Sequence, residues 1–342
     1  MTKVLVVATS RKTRGGITAV LKLYEQSPMW QQYHCHWIGT HRDGGIVRKL
    51  WYLTTAFIQY CTLLPFFNIV HIHFSLRTSA KRKYPFFKLA KIFKKKTIIH
   101  LHCGSQIDEI WNDTYQKMFE QCDCGILLSE SLKHKIEKRI GKSDKLTVIY
   151  NPCSIIKETN KQNKINYILF SGTLYEGKGY KDFICAFAKI ASNHSGWNIV
   201  LAGNGEEEQA RKLSKDLGIE SQVKLLGWVN GEQKHQAFSE ATAFCLPSYA
   251  EGFPMAVLDA WAYGLPVITT PVGGIPDVAI DGKNMLLFEP GDVDSLAKKL
   301  ETIITDNNLR IKLSEESKKL AEGMFSLEAV TQQVRGVYDS LM

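Results

Sequence analysis

Residues 248–278 read SYAEGFPMAVLDAWAYGLPVITTPVGGIPDV. The stretch follows an apolar run, Ala243–Leu246, of strand length. Glu251 stands before a tight turn at Gly252, and Pro254 suits the first turn of a helix, where its missing N–H costs nothing. Backbone N–H groups of Phe253, Met255 and Ala256 would then aim at a phosphate or a sugar hydroxyl. Asp259 lies about one turn into that helix, among Ala256, Val257, Leu258, Ala260 and Trp261. A carboxylate in such company is costly unless paired, and the diol of a ribose would serve. Val267–Thr269 is the next strand, and Thr270–Asp277 is a second glycine loop. Strand, glycine turn, helix and strand in this order make a βαβ unit of a parallel sheet.

Working outward, the same alternation runs through the chain. Strands are expected at Val4–Ala8, Tyr33–Ile38, Ile69–His73, Thr97–Leu101, Gly125–Leu128 and Leu146–Tyr150, with helices between them. Asn151-Pro152 stops the pattern, and the polar segment Lys157–Asn166 reads as a linker. Strands resume at Tyr167–Ser171, Ile199–Ala202, Val223–Leu226, Ala243–Leu246, Val267–Thr269 and Met285–Phe288. The expected fold is therefore α/β, with two doubly wound Rossmann-like domains facing a cleft. Residues 1–155 and 165–325 are the expected domains, and a terminal helix over about 326–342 packs back on the first.

Other strand ends carry the residues an anion would need. Arg14-Gly15-Gly16 precedes a helix at Ile17–Glu25, although paired glycines are also ordinary turn formers. In Ser171–Gly179, Lys178 is flanked by two glycines. That loop lacks the Ser or Thr of a P-loop, and an exposed lysine is the plain alternative. Ala202-Gly203-Asn204-Gly205 resembles part of a dinucleotide fingerprint. Glu206-Glu207-Glu208 follows in place of a third glycine, which disfavours a dinucleotide site.

With these residues assembled, the second half resembles the nucleotide-sugar domain of retaining glycosyltransferase family 4. The family's E-x7-E appears here as Glu251-x7-Asp259, one methylene shorter at its second carboxylate. The resemblance is strong from Ser171 to Gly291 and weaker in the first half. It implies a GT-B fold in which Glu251 contacts the donor sugar hydroxyls, helped by the backbone of Gly252, Phe253, Pro254 and Met255. Asp259 would bind the ribose, and Lys178 would neutralise the departing diphosphate. Gly203, Gly205, Trp228 and Val229 fall where the family has phosphate and base contacts. Gly15 and Gly16 would lie against the phosphates, and His102 resembles the family histidine beside the donor sugar. The family commonly has an arginine where this chain has Thr173, so one charge contact is missing or supplied elsewhere, with Arg14 a candidate.

Composition bounds the partners. The 342 residues carry a net charge of +9, unevenly placed. Residues 1–150 hold 24 Lys and Arg against 10 Asp and Glu, leaving 19 basic and 24 acidic residues beyond. An anionic partner for the first half follows: a membrane surface, a nucleic acid or a phosphorylated acceptor. Lys81–Lys96 (KRKYPFFKLAKIFKKK) reads as a basic amphipathic helix on a membrane, or as a solvated face with its aromatics turned inward. Leu50–Phe67 is marginal for a membrane span and reads as a buried or membrane-facing helix. No nucleic-acid-reading motif accompanies the charge. The eight cysteines form no CxxC pair, and the first residues run straight into a strand, so a cytoplasmic protein with reduced thiols is expected, peripheral on the inner face of the membrane.

Three His-x-His pairs (His34/His36, His71/His73, His100/His102) put side chains on common strand faces, yet no Cys or carboxylate pattern completes a metal site. Asp292-Val293-Asp294 imitates a metal-binding D-x-D but opens a helix, so capping is the expectation. No metal and no cofactor are expected. The functional expectation is a retaining, metal-independent transferase moving sugar from a nucleotide sugar, of the UDP class, to a saccharide or lipid-linked acceptor in surface polysaccharide biosynthesis. The alternatives are a GT-B nucleotide-sugar epimerase or hydrolase, and a nucleotide-binding protein without activity.

Overall fold

The computed structural model describes residues 2–104, 106–156 and 164–342. The chain divides into two compact units, Met1–Pro152 with Leu327–Met342, and Cys153–Ser326.

The first unit is built on β1 (Val4–Ala8), β2 (His36–Gly39), β3 (Ile69–Phe74), β4 (Lys96–Leu101), β5 (Cys124–Leu127) and β6 (Leu146–Val148). They form one parallel sheet in the order β2-β1-β3-β4-β5-β6. Every residue of β1 and β3 is buried, because helices cover both faces of such a sheet; β1 is apolar throughout, while β3 also carries His71 and His73. The helices Ile46–Leu63 and Thr78–Ile92 close one part of the core, where Phe57 and Tyr60 each meet Phe86 edge to face. The last helix, Leu327–Ser340, turns Val330, Val334 and Tyr338 inward, and the Tyr33 hydroxyl donates to Asp339.

The second unit contains β7 (Ile165–Ser171), β8 (Asn198–Ala202), β9 (Val223–Gly227), β10 (Ala241–Leu246), β11 (Val267–Thr269) and β12 (Leu286–Leu287). Their order is β12-β11-β10-β7-β8-β9, again all parallel. The chain winds outward from β7 to β9, then returns to β7's other side and winds to β12. The direction of winding therefore reverses between β7 and β10, and in the first unit between β1 and β3. A crevice opens outside the carboxyl ends of the strands at such a point.

Several boundaries differ from the sequence expectation. Tyr33–Cys35 precede β2, because Tyr33 closes the short helix Pro28–Gln32 and His34 takes a positive φ of 41°. Most of the expected linker, 157–163, lies outside the described residues, while Ile165 and Asn166 already belong to β7. The basic helix ends at Ile92, and Lys96 opens β4. Within it Phe86 and Phe87 face inward, while Ile92 and Phe93 remain exposed. The D-x-D is a cap: Asp292 accepts from the Ser295 N–H at 2.9 Å. No helix among the described residues is long and apolar enough to cross a membrane. All eight cysteines are free.

Glycine spacing decides how closely the strand-end loops of the second unit meet. A Cβ at position 203 would lie 1.7 Å from the Gly172 carbonyl oxygen. The Gly172 N–H donates to Ala202 there, and Leu174 donates to Asn204. Gly203→Ala is therefore expected to destabilise the second unit by about 3 kcal/mol, since backbone rather than a flexible side chain must move. Urea midpoints of the two proteins measure this.

Candidate active site

Three loops meet at the β7/β10 reversal. Gly179 has φ +69°, and a Cβ there would sit 2.0 Å from the Pro247 carbonyl oxygen, so only glycine lets the β7 loop close on the end of β10. The Tyr249 N–H donates to Gly177, and the Tyr249 hydroxyl to Asp182 at 2.8 Å. From the β11 loop, Gly274 N–H donates to Gly252. This closure brings together Lys178 and Glu251, which are 73 residues apart in sequence and form an ion pair. Ser248 donates to the same carboxylate oxygen, Glu251 Oε1, at 2.8 Å. No protein donor reaches Oε2 among the described residues. Lys178 keeps further N–H donors beyond the one given to Glu251.

Asp259 is buried, as expected, and the structure supplies its partners. Lys234 Nζ donates to Oδ2 at 2.5 Å and Ser154 Oγ to Oδ1 at 2.6 Å. These contacts offset the cost of burying the carboxylate without any ligand. Each oxygen keeps a second acceptor site for a ribose hydroxyl. Neither Lys234 nor Ser154 was visible as a site residue, since they lie 25 and 105 residues from Asp259. Ser248 was equally unmarked. The one available signal was the need of a buried Asp259 for a cation.

The remaining donor-side residues divide. Pro254 caps the helix Met255–Ala262 rather than opening its first turn, and no side chain caps that end. Phe253 turns its ring inward against Trp261 and Phe325, away from any ligand at the loop surface. Gly203 and Gly205 are packed against the β7 loop: a Cβ at 205 would lie 2.3 Å from Leu174 O, so their smallness serves loop packing first. Glu206 does not stand free as a repelling charge, since Tyr180 donates to it at 2.7 Å. Trp228 is 40% exposed beside Val229 at the end of β9. Thr173 is exposed. A cavity of about 590 Å³ lies instead along the strand starts, lined by Ile165, Asn198 and Val223, away from Lys178 and Glu251.

In the first unit Gly15, at φ +132°, precedes the helix Gly16–Tyr24, and a Cβ on it would meet nothing within 4 Å. That helix end has no side-chain cap and so offers its N–H groups to an anion. The Arg14 N–H donates to Asp43 at 3.2 Å. His102 is not a lone histidine. His71 and His73 on β3 stack with His100 and His102, at ring separations of 4.1 to 5.5 Å. His73 Nδ1 and His102 Nε2 share a hydrogen bond of 2.8 Å, and His71 Nδ1 meets the Tyr338 hydroxyl at 2.8 Å. Among the described residues, both nitrogens of His100, and Nε2 of His71 and His73, have no partner. Burial holds all four imidazoles far toward the neutral form, His100 down to about 3.

His71, His73 and His100 place one ring nitrogen each within 4.8 Å of the others, the one such metal-capable group among the described residues. Their planes lie within 9° to 33° of parallel, so their in-plane lone pairs run side by side. Ligation of one ion would require the rings to turn, and we assign no metal to them.

Comparison with known proteins adds the following. Residues 154–320 match the family model described as glycosyl transferases group 1. An uncharacterized glycosyltransferase of Haemophilus influenzae is 27% identical over 220 residues, covering 63% of this chain and 61% of that protein. The lipopolysaccharide core biosynthesis glycosyltransferase LpsE of Rhizobium meliloti is 33% identical over 165 residues, covering 48% and 47%. The chain thus spans less than two thirds of the length of these curated relatives. The crystal structure of Anabaena HepE in complex with UDP superposes with a TM-score of 0.79 at 18% identity, covering 99% of this chain and 100% of that one. The fold is GT-B, two Rossmann-like α/β domains.

The histidine stack makes stability depend on pH. Unfolded imidazoles take up protons below about 6.5, whereas the buried ones stay neutral far lower. Stability is therefore whole above pH 6.5 and lost as pH falls from there toward 3. His100→Leu, which gives up no hydrogen bond, should lessen the loss by about 1.4 kcal/mol per pH unit below 6. Urea unfolding of both proteins at pH 7.5 and 5.5 measures the difference.

Proposed function

We propose that the chain is a retaining glycosyltransferase which moves a sugar from a UDP-sugar to a saccharide or lipid-linked acceptor of a surface polysaccharide, without a metal. The observation that carries this reading is the Lys178–Glu251 pair at the β7/β10 reversal, with Glu251 Oε2 open. A basic group for a leaving diphosphate and a carboxylate for sugar hydroxyls stand side by side where a parallel sheet binds ligands. The names of the relatives support the substrate class: LpsE acts in lipopolysaccharide core biosynthesis, and HepE was crystallised with UDP.

The chemistry asked of these residues is electrostatic. As the bond to the anomeric carbon breaks, charge gathers on the nucleotide diphosphate. Lys178 and the uncapped N–H groups of Met255 and Ala256 meet that charge without reorganising. Glu251, fixed by Lys178 and Ser248, holds the sugar hydroxyls and so orients the anomeric carbon. Asp259, held by Lys234 and Ser154, takes the ribose. Retention follows if the acceptor attacks from the face the diphosphate leaves, where that diphosphate accepts the acceptor's proton. The first unit would meet the acceptor at a membrane surface. Support comes from the exposed Ile46, Val47, Leu50 and Trp51 on one helix, and from Ile92 and Phe93 among the lysines of the next.

A panel of UDP-, GDP- and ADP-sugars, read by thermal shift, tests the donor assignment. UDP-sugars should stabilise the protein, and Asp259→Ala should lose that effect. With the accepted donor, Lys178→Met should lower kcat about 10²–10³-fold. No shift with any nucleotide sugar, or an unchanged kcat, would sink the reading.

A further inference from the structure

A buried lysine in the first unit has no counter-ion among the described residues. Lys83 is 0% exposed, and its ammonium has one partner, Ser79 Oγ at 3.2 Å. No carboxylate pairs with it among the described residues. Its neighbour Arg82 is half-buried, and Arg82 Nε is buried with no hydrogen-bond partner among the described residues. Burial and the charge of Arg82 both press the Lys83 pKa well down from its ordinary value. The groups that feel Lys83 from other elements are imidazoles: His41 after β2, His73 on β3 and His102 after β4. Asp43 lies near His41, but it is exposed and meets His41 Nε2 at 3.6 Å and the Arg14 N–H. An ammonium taken out of water without a partner costs several kcal/mol. Such a lysine sheds its proton when alone and takes it up when an anion arrives beside it.

Position says where that charge would sit. Lys83 follows Ser79 by one helical turn, so its side chain runs back toward the start of the helix Thr78–Ile92. Arg77, at φ +58°, precedes that helix, and no side chain caps it. Ser79 Oγ already accepts from the Ser75 N–H at 3.2 Å, which ties the β3 loop to the same spot. The first-turn N–H groups, the Lys83 ammonium and the Arg82 guanidinium thus gather at the carboxyl end of β3, beside the β1/β3 reversal. A lysine charged by an arriving anion, an arginine and a helix end suit a phosphate or diphosphate dianion, whereas a single carboxylate would leave one cation unbalanced.

We propose that Lys83 and Arg82, with the start of the helix Thr78–Ile92, bind a phosphate group carried by the acceptor. The word acceptor rests on the glycosyltransferase reading; the anion site itself does not. Inorganic phosphate and UDP, alone and together, test it by thermal shift and calorimetry on the full chain, with chloride at equal ionic strength as control. Phosphate is expected to bind and to add to the effect of UDP. Lys83→Met should weaken phosphate at least tenfold, leave UDP affinity unchanged, and raise the melting temperature of the ligand-free protein by removing a buried amine that lacks a counter-ion. Arg82→Gln, at a half-buried position, should weaken phosphate without disturbing the fold. Absence of phosphate binding in the parent, or equal binding in both variants, overturns the site. Competition between phosphate and UDP overturns the acceptor assignment. Phosphate binding without any UDP binding would leave this site standing while the donor reading fails.

Discussion

The closure of the β7 loop on the end of β10 is the constraint on which the rest of the second unit depends. Gly179 permits it sterically, and the Tyr249 N–H to Gly177 contact holds it. Without that approach Lys178 would be one more loop lysine in water, and Glu251 a carboxylate lacking a cation. With it, the two form a pair whose geometry is set by backbone rather than by their own flexible side chains. A pair held this way keeps its place when a ligand arrives, which is what electrostatic stabilisation of a leaving group requires. Asp259 follows the same logic at one remove, because Lys234 and Ser154 fix it from two different elements.

The first unit is organised differently. Its carboxyl end collects imidazoles and cations with few carboxylates among them. His71, His73, His100 and His102 are kept neutral by burial, and Lys83 is buried with Arg82 beside it. Orphaned nitrogens in the stack are a standing cost of about 1–3 kcal/mol each. The stack also ties β3 and β4 to the last helix through Tyr338, so a polar core holds the terminal segment against this unit. The basic excess of residues 1–150 is thus not all a solvated surface. Part of it is turned inward at the end of the sheet where a ligand would bind.

Much of this was legible in the amino-acid sequence, for physical reasons that are local. Strands of a covered parallel sheet are mostly apolar runs, so all twelve could be located, with errors confined to ends such as Tyr33–Cys35, where a helix stop and a left-handed His34 intervene. Glycines after strands marked the loops, and Glu251, Asp259 and Lys178 stood out as charges in those loops. The D-x-D was legible as a cap because capping depends on four consecutive residues. Neither reading of Lys81–Lys96, as a membrane-facing basic helix or as a solvated charged face, foresaw the buried Lys83, since spacing along a helix does not say which neighbour will cover it.

The sequence by itself therefore determined the α/β class, the two parallel sheets and the loops that carry the chemistry, because these follow from periodicity and from residue types next to one another. Tertiary structure alone decided which charge meets which. Lys178 with Glu251, Asp259 with Lys234 and Ser154, and the four stacked histidines join residues 25 to 105 positions apart or lying on neighbouring strands. Such pairings depend on strand order and on backbone approach within ångströms, and strand order is a property of the folded sheet.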